Sequence, residues 1–155
     1  MMRILRTTLV ILVVVGLAID AYVHLSLAST FDPIRATVSQ GQLFRMEGIA
    51  AILAAGFLLL RPSRVSAAVA GLVAGGGMAA VLLYAMVDVG PVGPFPNMYD
   101  PTWSTQKTLS AIAEAVATLA AVVLVVIGVR EPADRDLART QPQPGVGTAS
   151  GSSSN

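Results

Sequence analysis

Four long apolar runs organise the chain. Residues 5–28, 42–60, 65–88 and 107–129 are dominated by Leu, Val, Ile and Ala, and short polar segments separate them. Crossing the hydrocarbon core of a bilayer takes about 20 mainly apolar residues in helix, a length that all four runs approach or reach. The separators suit breaks between helices: "STFDPIRATVSQG" after the first run, "RPSR" after the second, and the Pro/Gly-rich "VGPVGPFPNMYDPTW" after the third. The pattern predicts an all-α transmembrane four-helix bundle over residues 1–130, running up-down-up-down. From Glu131 the chain changes character, and residues 131–155 carry too little apolar surface to offset the entropy of ordering. They are expected to form a disordered cytoplasmic tail.

Within the runs, small and polar residues recur at helical spacing. In the third, Ala67, Gly71, Gly75 and Ala79 stand four apart, a small-xxx-small ladder that admits a neighbouring backbone. At about 100° of rotation per residue, Glu47 shares a helix face with Ala50, Ala51, Ala54 and Ala55. The same projection groups Gly16, Asp20 and His24 in the first run, and Lys107, Ser110, Glu114, Thr118 and Ala121 in the fourth. Arg45 falls on a different face from Glu47, near enough to the outer surface to snorkel its guanidinium into the headgroups. With about 1.5 Å of rise per residue, Glu114 and Asp20 lie on the order of 10 Å below that surface, and Glu47 and His24 are shallower.

Ionisable groups inside a membrane cost several kcal/mol on most scales, so they turn inward and pair. Asp20, His24, Glu47 and Glu114 are therefore expected around one polar pocket in the outer third of the bundle. Three carboxylates beside one histidine cannot all ionise without positive partners. Arg45, Lys107 or a protonated His24 compensates, or a carboxylate holds a proton. Such a group can serve as a hydrogen-bonded network that sets helix register, or as a ligand or proton site. A metal site is the weaker reading of these ligands because the Glu-x-x-His repeats of di-iron bundles are absent. Haem is weaker still, since a lone histidine leaves methionine as the familiar second axial ligand.

Composition agrees with the membrane reading. Of 155 residues, 54% are hydrophobic and 12% charged, with a mean hydropathy of +0.71, beyond what a water-soluble domain of this size carries. The lipid bilayer is thus the first partner, with other membrane subunits or further copies of the chain as candidates. No basic cluster interleaved with aromatics points to nucleic acid. The absence of cysteine excludes disulfides, thiolate metal sites and cysteine nucleophiles. Charge orients the bundle: seven of the ten Lys and Arg residues, against three acids, fall at the start of the first run, between the second and third, and after the fourth. That side is expected to be the cytoplasm of a bacterial cell, with both termini there. Tyr22, Phe31, Phe44, Tyr84, Phe95, Tyr99 and Trp103 gather at the opposite end, either as an interfacial belt or as the lining of an outer cavity. An alternative for the first run is a signal peptide, its basic Arg3 and Arg6 preceding the apolar stretch and cleavage following Ala28.

The sequence carries no P-loop, dinucleotide fingerprint, zinc-protease motif or nucleophile elbow, so it nominates no catalytic group and no cofactor. Arg6 at the start of the first run, Gly16 within it, His24 at its outer end and the inner turn "RPSR" resemble the DoxX-like group of small bacterial four-helix membrane proteins. The resemblance is closer still to Ala/Val-rich integral membrane proteins of actinobacterial type. Kinship with the DoxX-like group implies a quinone-linked redox role. The function expected first is that of an accessory or assembly subunit of a membrane complex; the alternative is a small binder, carrier or redox partner that admits a quinone, a lipid or a proton to the outer pocket.

Overall fold

The computed structural model describes residues 1–129; the tail expected over 131–155 lies outside the described residues. Four helices follow in order: α1 (Met2–Leu27), α2 (Gln40–Leu60), α3 (Arg64–Met86) and α4 (Thr105–Ile127). Each is long and apolar enough to cross a membrane. No strand occurs among the described residues, only isolated bridges in the two longer connections.

All four helices start slightly ahead of their apolar runs, and for the last three serine is the reason. Ser39 caps α2 in a reciprocal box with Gln42, and Ser63 does the same for α3 with Ser66. Ser104 accepts from the Lys107 N–H at the start of α4. These hydroxyls satisfy first-turn amides that hydropathy does not register. At the far end of α4, Gly128 adopts φ +78° and its N–H returns to the Leu124 carbonyl, a left-handed stop available to glycine at little cost.

In section, α1 packs along α2 and α4, α3 packs along α4, and α2 and α3 touch less extensively. The interior is built from small residues with a few large ones. Val13, Leu17, Leu58 and Leu124 are wholly buried, and Ala51, Ala67, Ala70, Ala74, Ala117 and Ala121 join them. Backbones consequently run close: a Cβ on Gly16 would stand 2.7 Å from the Ala113 carbonyl oxygen and 2.9 Å from the Ala117 Cβ. Leu53, Leu72 and Leu119 project from the outside of the bundle, as suits helices surrounded by acyl chains.

The ladder on α3 packs differently from its spacing. Ala67 is buried, but Ala79 is exposed, and the buried stripe runs Ala67, Ala70, Ala74, Gly77. A strict four-residue step overshoots a full turn by about 40°. The ladder therefore winds off the seam, whereas alternating steps of three and four stay on it. Gly71 and Gly75 still meet Ala121 and Thr118 of α4.

Two guanidiniums close one end of the bundle. Arg6 Nη2 donates to the Ile127 carbonyl at 3.3 Å, and Arg64 Nη2 donates to the Val126 carbonyl at 3.2 Å. Cations there meet the unsatisfied carbonyls and the negative pole of α4.

Candidate functional site

At the opposite end, α1 and α4 share a buried polar cluster. Asp20 and His24 are one turn apart on α1, so both side chains leave the same face. His24 Nδ1 lies 2.8 Å from Asp20 Oδ1 and 3.1 Å from the Asp20 carbonyl oxygen. A carbonyl can only accept, so Nδ1 carries the hydrogen. From α4, Ser110 Oγ donates to Asp20 Oδ1 at 2.8 Å and approaches Glu114 Oε1 at 3.4 Å. Asp20, Ser110 and Glu114 are almost wholly buried, and His24 nearly so. Packing of α1 on α4 through Gly16 brings these groups together across 90 residues of sequence.

Gly77 of α3 faces the cluster. A Cβ there would stand 2.5 Å from Glu114 Oε1 and 3.2 Å from Glu47 Oε1. The missing side chain is the space that Glu114 and Glu47 occupy. Glu47 therefore approaches from α2, and its Oε1, Asp20 Oδ2 and Glu114 Oε2 are buried and accept from no donor among the described residues.

Beside the cluster lies a cavity of about 520 Å³. His24, Glu47, Ser110 and Lys107 give it polar points, while Phe44, Tyr84 and other apolar groups of α1, α2, α3 and the connections supply most of its wall. The Phe44 ring stands edge-on to His24, with centroids 5.1 Å and planes 86° apart, and Phe31 packs on Phe44 at 5.0 Å. Among the aromatics expected at this end, Phe31, Phe44, Tyr84 and Phe95 line the cavity, whereas Tyr22 is exposed on the outside.

The two cations considered as compensators bind loop carboxylates. Arg45 donates to Asp32 through both terminal nitrogens, at 2.8 and 2.7 Å, and does not line the cavity. Lys107 reaches the cavity but donates to the Asp100 carbonyl at 2.6 Å and to its carboxylate at 2.8 Å. Arg45 holds the Asp32 carboxyl below the usual carboxylate range, and Lys107 does the same for Asp100, chiefly by hydrogen bonding. Asp20, His24, Glu47 and Glu114 thus come together, while Arg45 and Lys107 are each engaged elsewhere.

Sequence reasoning placed Ser110 on the Glu114 face but did not single it out as a site residue. Its spacing of four from Glu114 on an apolar helix was the available signal. Gly77 was hidden in a glycine run, and nothing local distinguishes it from Gly76, whose Cβ would meet nothing within 4 Å. Asp32 and Asp100 sit in irregular segments, where the sequence gives no direction for a side chain. No family model, curated protein or solved structure matches this chain.

Proposed function

We propose that this chain is a multi-pass membrane protein that holds an apolar molecule with a polar end, of the quinone or lipid class, between its helices. The observation that carries this reading is the cavity of about 520 Å³ with an apolar wall and a few convergent polar groups. Ligand sites are commonly about 300–1,000 Å³ and have this division of labour. His24, Glu47 and Ser110 would meet the polar end, and Phe31, Phe44 and Tyr84 the apolar body. The exposed Gly76 and Ala80, which also border the cavity, leave its α3 wall thin. A quinone also agrees with the resemblance to the DoxX-like group.

Purification of the native protein in mild detergent, followed by native mass spectrometry and an absorption spectrum, tests the reading. Wild type should retain a stoichiometric apolar molecule. Ala80→Trp, which intrudes on the cavity from an exposed position, should retain about tenfold less, a loss of roughly 1.4 kcal/mol. An empty protein carrying stoichiometric partner subunits would instead establish the accessory or assembly role.

The orientation that goes with this function is an up-down-up-down bundle in the bacterial plasma membrane, with both termini cytoplasmic and the cavity facing out. The distribution of Lys and Arg supports it, as does the gathering of Arg6, Arg64 and the end of α4 opposite the cavity. Since the chain has no cysteine, single-cysteine labelling is direct. An impermeant maleimide on intact cells should modify Thr37→Cys and Asn97→Cys and spare Ser152→Cys; the reverse pattern would invert the protein.

A further inference from the structure

We propose that Asp20, His24 and Glu114 form a binding site for one divalent transition-metal ion in the wall of the cavity. Each residue offers a ligand atom, and the three atoms lie within 4.8 Å of one another. Asp20 and Glu114 are wholly buried. Yet Asp20 Oδ2 and Glu114 Oε2 accept from no donor among the described residues, and buried carboxylate oxygens left so are costly. A metal ion would satisfy both at once. Two carboxylates and a neutral imidazole also balance its charge, which Arg45 and Lys107, bound to Asp32 and Asp100, do not.

The donor set selects the class of metal. One imidazole with two carboxylates and no thiolate suits manganese, iron(II) or zinc, whereas calcium takes six to eight oxygens and magnesium keeps most of its water. The surroundings suit a metal site as well. Ser110 holds Asp20 through Oδ1 and leaves Oδ2 available, the orienting role of an outer-shell hydroxyl. Gly77 makes room on the α3 side for Glu114 and Glu47. His24 and Ser110 border the cavity, which provides the path of entry. Coordination through His24 Nδ1 requires the tautomer with its hydrogen on Nε2, which keeps the imidazole neutral.

The test uses full-length protein purified with a tag free of histidine, stripped with chelator and offered manganese, iron(II) or zinc before gel filtration and elemental analysis. Wild type should retain about one equivalent of at least one of these metals, as expected of a single closed site. Asp20→Asn and Glu114→Gln, at unchanged elution volume and helix content, should each lower affinity by at least about tenfold, the scale on which even outer-shell changes act. Cobalt(II) provides a second readout, since a bound N/O site gives ligand-field absorption that His24→Asn alters. Should either carboxylate variant fail to fold, the wild-type stoichiometry and the cobalt spectrum decide. Sub-stoichiometric metal in wild type, or equal retention by folded wild type and variants, would overturn the proposal. Retention of metal is independent of any organic occupant of the cavity.

Discussion

Gly16→Leu is expected to cost about 3 kcal/mol or more, the upper range for overpacking a close-packed site, and to leave little monodisperse protein in detergent. The cause is the α1–α4 contact. The added Cβ would stand 2.7 Å from the Ala113 carbonyl oxygen and 2.9 Å from the Ala117 Cβ, and backbone cannot swing aside as the end of a long side chain can. The two helices would have to part. Parting them also breaks the 2.8 Å hydrogen bond from Ser110 to Asp20, so a packing fault one turn away reaches the polar cluster. Gly56→Leu is the control, because a Cβ at that position meets nothing within 4 Å. Denaturant titration in mixed micelles with circular dichroism compares the two. Equal stability of Gly16→Leu and wild type would show that α1 and α4 do not meet at Gly16.

His24→Leu is expected to destabilise the bundle by about 3 kcal/mol or more, since a buried carboxylate stripped of a donor costs more than the about 1–3 kcal/mol of a neutral polar group. The Asp20 carboxylate would keep Ser110 but lose the imidazole at 2.8 Å. Adding Asp20→Asn to His24→Leu removes the stranded charge while preserving shape. The double variant should therefore be more stable than His24→Leu alone, with a coupling of about 1–3 kcal/mol between the two sites. The same titration completes the cycle. A cost below about 1 kcal/mol for His24→Leu, typical of exposed pairs, would mean that water solvates Asp20.

Helix number was legible because apolar runs of membrane-crossing length have few other uses. The faces of Asp20, Ser110 and Glu114 were legible as well, since a regular helix fixes the angle between its side chains. Rotation per residue does not reveal which neighbour a face meets, so the approach of Glu47 and Glu114 across Gly77 became visible only with the helices packed. The choices made by Arg45 and Lys107 were less legible still. Each depends on the irregular segment that carries its partner. Asp32 is held by Arg45 and by Ser39, in a turn so tight that a Cβ on Gly41 would collide with Asp32 and the Ala28 carbonyl. Asp100 is placed by its N–H bond to the Tyr84 carbonyl, in a stretch interrupted by Pro91, Pro94, Pro96 and Pro101. Such geometry has no period to read.

The span of 90 residues between Asp20 and Ser110 acquires a further meaning when the chain is followed as it leaves the ribosome. Synthesis runs from the N-terminus and delivers structure in that order, so α1 is made long before α4. During that interval Asp20 has no hydroxyl to accept from, and the imidazole it needs is four residues away on its own helix. The i,i+4 pair makes α1 self-sufficient as it enters the bilayer. Arrival of α4 then supplies Ser110 and Glu114 and completes the cluster, so that a chain truncated before residue 105 would keep the Asp20–His24 pair and lack only the hydroxyl that Asp20 later accepts from.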